Sequence, residues 1–470
     1  MNKSLSKMMM LKSKNIKLKL LYNPASLSAG EGLRVRFFIL LFLFSSCSVT
    51  KQISKQANTF LLKDSALVNG QIGISIYEPA TGKYWYNYQA EKYFVPASNT
   101  KLFSLYAGMK YLGDSLTAFK YFEDQNTITI DPMGDPTFLH HDFKNQRAFN
   151  FLKEKKKPVI IIDSRWRENA LGFGWSWDDY TSSDMVERSS FPIYGNLIKW
   201  IQVKDKPIES NAEGNLVFSE PDVNWKVNFS TDTGRNNFSV DRNWEENIYE
   251  ITFGKERKRE IEIPFVTKGV ATAAELLKDT LNVPVSITNL PVYNNFKTLH
   301  SQPVDSFFTL MMHRSDNFFA EQTLLMASNE KLGYMSDNKM IDTLLKTDLK
   351  DIPQIPRWVD GSGLSRYNLF TPNDFIYILQ KLKNDFGLER LKVILPTGGT
   401  GTLSSLYKKD SGYIFAKTGT LSNHVALSGF LITKQNKLLI FSVLAGNFTI
   451  PPTPVRKAIE KFLSNIRQRY

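Results

Sequence analysis

The apolar residues of this chain change period several times, and each change marks a predicted element. In "QIGISIYE" (71–78) and "KYWYNYQ" (83–89) they alternate, and the "PATG" between them has turn chemistry, so a β-hairpin is expected. After "PASNTKLF", Pro96 to Phe103, the period lengthens to three and four. Leu102, Phe103, Leu105, Tyr106, Met109 and Leu112 then predict an amphipathic helix with one buried face. From about 120 to 290 the chain breaks into short strand-like runs with polar punctuation: "NTITID", "PVIIID", "NLVFSE", "WKVNFST", "IYEITFG" and "REIEIPFV". This reads as a largely β insertion.

Helical spacing returns in "ATAAELLKDTL", "VDSFFTLMMHR" and "NFFAEQTLLMAS". The last third carries three strand-like runs, "SGYIFAKTGT", "VALSGFLITK" and "KLLIFSVLAG", and closes with the helix "VRKAIEKFLSNIR". Strands at both ends with helices between them predict one α/β domain whose sheet is completed by the N- and C-terminal segments.

Composition narrows the function. A chain of 470 residues with 42% apolar content is long enough for two or three packed units. The formal charge of +13 is concentrated at the front, where residues 1 to 36 hold eight Lys and Arg against Glu31 alone. The remaining excess is dispersed, with no basic stripe interleaved with aromatics, so nucleic acid is not an expected partner. "RVRFFILLFLFSSC" joins two arginines, a short apolar run and two small residues before Cys47, the only cysteine. It reads as a secretory signal ending in a lipobox-like site, because a bilayer span needs about 20 apolar residues. Export to the periplasmic side of a cell envelope and a lipid anchor on Cys47 are therefore expected. The domain reading is a leader at 1–47, a catalytic domain from 48–118 and 296–470, and the β-rich insertion at 119–295.

Two common hydrolase signatures, H-E-x-x-H and G-x-S-x-G, are absent. His140 and His141 beside Asp142 are adjacent in sequence, so their side chains are expected to diverge on the surface rather than hold a metal. No metal or cofactor is expected. "LPTGGTGTL" lacks the G-K-S/T ending of a phosphate loop and reads as a plain loop.

Serine and lysine remain. Ser98-Asn-Thr-Lys101 is an S-x-x-K, a spacing that recurs at Ser4, Ser48, Ser328, Ser336 and Ser405. Only at Ser98 does it open a strongly amphipathic helix, where a three-residue offset puts hydroxyl and amine on one face. An ammonium in a first helical turn is disfavoured by about 0.3–1 kcal/mol, so its presence there invites a reason. The alternative is Ser98 as a helix cap with Lys101 in solvent. Ser315-Asp316-Asn317 lies between two helices and also fits a turn with a cap, as its repeat at Ser336 to Asn338 does. Lys417-Thr418-Gly419 occurs once; packing does not account for a cation, a hydroxyl and a glycine in an apolar strand unless something approaches the backbone.

The order S-x-x-K, S-x-N, K-T-G resembles the serine penicillin-recognising enzymes. "GDPTF" (Gly134 to Phe138), "DGSGLSRYN" (Asp360 to Asn368) and "LPTGGTGTL" leading into "AKTGTLSNHVALSGF" sharpen the likeness, as does the long gap between Ser98 and Ser315. From about residue 55 onward the chain resembles the class C low-molecular-mass penicillin-binding proteins, the D-alanyl-D-alanine carboxypeptidase/endopeptidase group. That resemblance implies a β-lactamase/transpeptidase-like fold of α+β type, with an antiparallel sheet flanked by helices. It implies Ser98 as nucleophile and Lys101 as base, a role that needs its charge disfavoured by burial or by nearby positive charge, of which the helix N-terminus supplies one source and Lys417 another. Ser315 becomes a proton relay, Asn317 a holder of Lys101 and the substrate carbonyl, and Lys417 with Thr418, Gly419 and Thr420 the site for the terminal carboxylate. Backbone N–H groups of Ser98 and Thr420 match the oxyanion hole, and Asp179 and Arg366 match contacts to the substrate side chain. Peptidoglycan peptides are the implied substrates and β-lactams the covalent inhibitors, whose adduct persists because no carboxylate base is evident beside Ser98. A wall-peptide-binding lipoprotein that keeps the fold without catalysis is the alternative.

Overall fold

A computed structural model describes residues 49–205, 214–230, 237–289 and 295–470; Cys47 and the leader lie outside them. The N-terminal hairpin is β1 (Gln71–Glu78) and β2 (Lys83–Tyr88), followed by helix α1 (Lys101–Tyr111). Next come β3 (Ser115–Glu123), β4 (Ile128–Pro132), α2 (Arg147–Lys155), β5 (Val159–Ile162), β6 (Leu197–Asp205), β7 (Gly214–Glu220), β8 (Val227–Phe229), β9 (Ser239–Arg242), β10 (Tyr249–Thr252), β11 (Lys258–Pro264), α3 (Ala271–Leu281), β12 (Val285–Thr288) and β13 (Lys297–Pro303). A helical run follows: α4 (Val304–Arg314), α5 (Asn317–Leu332), α6 (Asp337–Lys346), α7 (Pro372–Phe386) and α8 (Leu388–Ile394). The chain ends with β14 (Ile414–Leu421), β15 (His424–Ile432), β16 (Leu438–Gly446) and α9 (Pro452–Arg469).

The two ends of the chain build one antiparallel sheet in the order β14-β15-β16-β1-β2, with Gln71 opposite Gly446. β15 and β16 are buried along nearly their whole length, so both sheet faces must be covered. Alternation decides which way each residue points. Ala426 and Phe430 enter the main core with Phe375 and Leu379 of α7, whereas Val425 and Leu427 face Ile459 of α9.

The structure corrects the reading of α1. Its first turn, Ala97–Thr100, is a 3-10 turn, and residues 101 to 109 are all buried, so the helix has no solvated face. It runs between α4, α5 and α7. A helix so enclosed can keep polar groups only if each has an internal partner; Ser104 Oγ, for instance, donates to the Gly361 carbonyl at 2.5 Å. Helices α2, α7 and α8 were not read from the pattern, although α7 announces itself with a capping box between Thr371 and Asp374 and a proline in its first turn.

Residues between α1 and α4 carry a second, mixed sheet, β12-β5-β4-β3-β13, and two three-stranded sheets, β11-β6-β7 and β8-β10-β9. β3 and β13 pair with each other, so the second sheet begins and ends a few residues outside 119–295 or on its border. Its own core gathers Phe119, Ile130, Ile161, Trp200, Tyr249 and Phe265. Phe143 and Val186, from the same stretch, join the main core instead. Among the described residues no helix is long and apolar enough to cross a membrane.

Candidate active site

Three elements converge on a cleft of about 340 Å³, lined by Ser98 from the 3-10 turn, Ser315 and Asn317 from the α4–α5 junction, and Thr418 and Thr420 from β14. Local backbone chemistry explains how the residues are freed for this. Ala97, immediately before Ser98, has φ of +48°, and Ser315 closes α4 with φ of +62°, both in the left-handed region. The cap that the S-x-N pattern suggested belongs to Asp316, whose carboxylate accepts from Phe319 N at 2.8 Å. Ser315 and Asn317 on either side are left to face the cleft.

Gly419 is explained by close approach. A Cβ there would sit 2.6 Å from the Pro96 carbonyl oxygen, because β14 presses its backbone onto the Ser98 turn. Asn99 Nδ2 ties the two together by donating to the Lys417 carbonyl at 3.0 Å. Gly363, at φ of +83°, would place a Cβ 1.9 Å from the Ala97 carbonyl oxygen; only glycine lets this loop lay the Ser362 carbonyl over Lys101.

Lys101 is fully buried, and its Nζ has three neighbours: Asn317 Oδ1 at 2.6 Å, the Ser362 carbonyl at 2.8 Å and Ser98 Oγ at 2.8 Å. A neutral amine has two N–H groups and one lone pair. The two carbonyl oxygens can only accept, so they take both N–H groups and leave the lone pair facing the Ser98 hydroxyl. Burial pushes Lys101 down to about 8, while the carboxylates of Asp360, Asp316, Glu321 and Asp184 pull it back up. Of the two causes that disfavour the charge of a lysine, burial and nearby positive charge, burial is the one that dominates here. Lys417, also fully buried, donates to Ser315 Oγ and to the Thr418 carbonyl, each at 2.8 Å, and is held well below its ordinary value by burial and then by Lys101.

Behind these residues lies a buried scaffold. Asp360 accepts from Gly363 N at 2.8 Å, Ser365 N at 2.6 Å and Asn368 Nδ2 at 2.7 Å, folding the "DGSGLSRYN" loop around its carboxylate. Glu321 accepts from Ser362 N at 2.7 Å and is raised to about 7, chiefly by burial and the nearby Asp360. Arg188 bridges Glu321 at 3.2 Å and Asp337 at 2.5 Å. None of Ser362, Glu321, Arg188 or Asp337 was read as functional. Glu321 alone carried a signal, as the only acid in "NFFAEQTLLMAS".

Other expected residues are placed differently. Asp179 sits on an exposed 3-10 turn (Trp177–Asp179) and is not among the residues lining the cleft; Asp184, five residues on, is, and its backbone carbonyl accepts from Asn317 Nδ2 at 2.9 Å. The Asp184 carboxylate is near enough for its charge to favour the Lys101 ammonium. Arg366 is exposed and reaches the Ser422 carbonyl at 3.3 Å, beyond the end of β14. His140 and His141 do not diverge: their rings stack at 4.7 Å, with His140 buried, because the loop turns them the same way. Both oxygens of Asp142 beside them are engaged by Arg314.

A sheet closed by both chain ends, with a serine, two buried lysines and a K-T-G strand around one cleft, defines the low-molecular-mass penicillin-binding class of serine D-Ala-D-Ala carboxypeptidases. A family model confirms the placement over residues 54–468, and the chain belongs to the D-Ala-D-Ala carboxypeptidase 3 (S13) family. It is 22% identical over 465 residues to penicillin-sensitive carboxypeptidase A of Dictyostelium discoideum, covering 83% of this chain and 85% of the relative. It is also 22% identical to D-alanyl-D-alanine carboxypeptidase DacB of Haemophilus influenzae, over 76% of this chain and 81% of that one. The crystal structure of penicillin binding protein 4 from Haemophilus influenzae superposes with a TM-score of 0.69 at 19% identity, over 88% of this chain and 98% of the other.

Proposed function

We propose that this protein hydrolyses D-Ala-D-Ala-type bonds of peptidoglycan stem peptides through an acyl-enzyme on Ser98. The observation that carries the reading is the Ser98 Oγ to Lys101 Nζ approach of 2.8 Å, with the other two neighbours of that amine able only to accept. Lys101 takes the hydroxyl proton as Ser98 Oγ attacks the carbonyl carbon of the penultimate D-Ala. Backbone N–H groups of Ser98 and Thr420 receive the developing oxyanion. The proton taken by Lys101 reaches the departing amine by way of Ser315, which is held by Lys417. Water then adds to the acyl carbon, and its proton passes to Ser98 Oγ as the free acid leaves. Thr418 and Thr420, with Lys417 and Gly419 behind them, hold the terminal carboxylate. A cross-linking amine in place of the terminal residue's amine presents the same bond, so endopeptidase action needs no further machinery. Asp179 and Arg366, outside the residues that line the cleft, are the proposed contacts to the substrate side chain. A β-lactam acylates the same serine.

The test is release of D-Ala from a pentapeptide muropeptide followed across pH. Below about 8 Lys101 is an ammonium and cannot accept the proton; above it the amine is neutral. Catalytic efficiency, which reports the free enzyme, is therefore expected to rise through about pH 8. A profile flat through that range removes Lys101 as base, and no turnover of monomeric or cross-linked muropeptides favours the wall-binding alternative.

The location follows from the same reading: an exported protein on the periplasmic side of the envelope, anchored by lipid on Cys47, with residues 119–295 as a β-rich insertion in the catalytic domain. Metabolic labelling with a fatty-acid probe is expected to mark the wild type and not Cys47→Ala. Equal labelling and membrane pelleting of the variant rule the anchor out.

A further inference from the structure

The cations around the cleft are not equally free. Lys101 is committed to Ser98, Asn317 and Ser362, and Lys417 to Ser315 and the Thr418 carbonyl. Arg314 lines the cleft but is engaged with both oxygens of Asp142. Arg456, near the start of α9, also lines the cleft, and no carboxylate among the described residues lies within ion-pair distance of it. Its hydrogen-bond partner among the described residues is neutral: Nη2 donates to Thr420 Oγ1 at 2.5 Å.

That contact has a directional consequence. A threonine hydroxyl has one hydrogen to give, and its oxygen here already accepts from the guanidinium, so the hydrogen is free for an acceptor in the cleft. The guanidinium is partly buried, and burial lowers its affinity for its proton without any acid nearby to offset this. An arginine nevertheless stays charged in proteins, with four further N–H donors in a planar fork suited to a carboxylate. A half-buried charge with no counter-ion stands ready for an anionic ligand. Lys417 is poorly suited to that task, being fully enclosed and turned to Ser315.

We infer that Arg456 is the specificity-determining cation of this site, selecting substrates that end in a free carboxylate and orienting the Thr420 hydroxyl toward that group. The inference rests on the peptidase reading above. It adds a residue from the last helix, outside all three motifs, as the source of positive charge for the anion.

The experiment compares a D-Ala-D-Ala peptide as its free acid and as its C-terminal amide, on wild-type protein, Arg456→Gln and Arg456→Lys. Charge-assisted hydrogen bonds of this kind correspond to about ten- to a hundredfold in binding. The wild type is expected to prefer the acid, and Arg456→Gln to lose that preference by about the same factor through a raised KM, with kcat changing far less. Arg456→Lys restores charge without the fork, so an intermediate preference is expected. Thermal melting of each variant reports whether it is folded. A wild type that prefers the acid together with an Arg456→Gln variant that keeps the preference overturns the inference while leaving the peptidase reading intact. Acid and amide falling together in the variant assign Arg456 a purely structural role and also overturn it. A wild type that turns over neither substrate fails the peptidase reading, and the inference with it.

Discussion

Ser98→Ala is expected to abolish covalent labelling by a fluorescent penicillin and to lower D-Ala release by about 10⁴-fold or more, as loss of an acyl-enzyme nucleophile does in other serine hydrolases. The geometry makes the effect specific to this serine. Its Oγ faces the lone pair of the buried Lys101 amine, whereas Ser315, the other cleft serine near a lysine, accepts from Lys417. Removing one hydroxyl costs Lys101 one of three partners, a matter of about 1 kcal/mol, so the melting temperature should move by a few degrees at most. Intact-mass measurement reads the outcome directly. Penicilloyl mass on the folded Ser98→Ala variant would falsify the nucleophile assignment and transfer it to another hydroxyl.

Arg188→Met should damage the protein through stability rather than chemistry. The Arg188 side chain is 2% exposed and bridges Glu321 and Asp337, which are 1% and 4% exposed. Taking one partner from a buried ionic cluster typically costs about 3–5 kcal/mol, because the remaining charges stay desolvated and unpaired. The loss has a pH signature. Glu321, raised to about 7, keeps its proton in the folded chain where the unfolded chain has already lost it. Stability therefore falls as pH climbs from the ordinary carboxylate range toward 7, and removing Arg188 extends that fall to higher pH. Thermal melts near pH 5.5 and 8.5 check this. A variant whose deficit is the same at both values, or absent, would show that the cluster is neutralised some other way. Glu321 also holds Ser362 N, so activity is expected to decline before the fold does.

What was legible in the sequence is what lies close together along it. Ser98 with Lys101, Ser315 with Asn317 and Lys417 with Gly419 each declare themselves within a few residues, and the hairpin, the C-terminal strands and the last helix follow their periods. The unread parts depend on distance. Arg188 finds Glu321 across 133 residues and Asp337 across 149, from three different elements. The Ser362 carbonyl acts through backbone, which a residue pattern does not display. The misreading of α1 has the same origin. Lys101 and Ser104 look like the polar face of a surface helix until Asn317, Ser362 and Gly361 supply their partners from elsewhere. Asp179 and Asp184 stand five residues apart on an irregular stretch, where no period says which one turns inward.

The pairing of Gln71 with Gly446 bears on when the enzyme comes into being. β1 lies between β2, synthesised just after it, and β16, which leaves the ribosome more than three hundred residues later. The Ser98 turn is likewise clamped by β14, more than three hundred residues downstream. Pairings of such long range form late, since the chain between them must first be ordered. A partly made chain thus holds Ser98 and Lys101 apart from Lys417. Hydrolytic power therefore waits on β14 and β16, which keeps the activity silent while those strands are still to come.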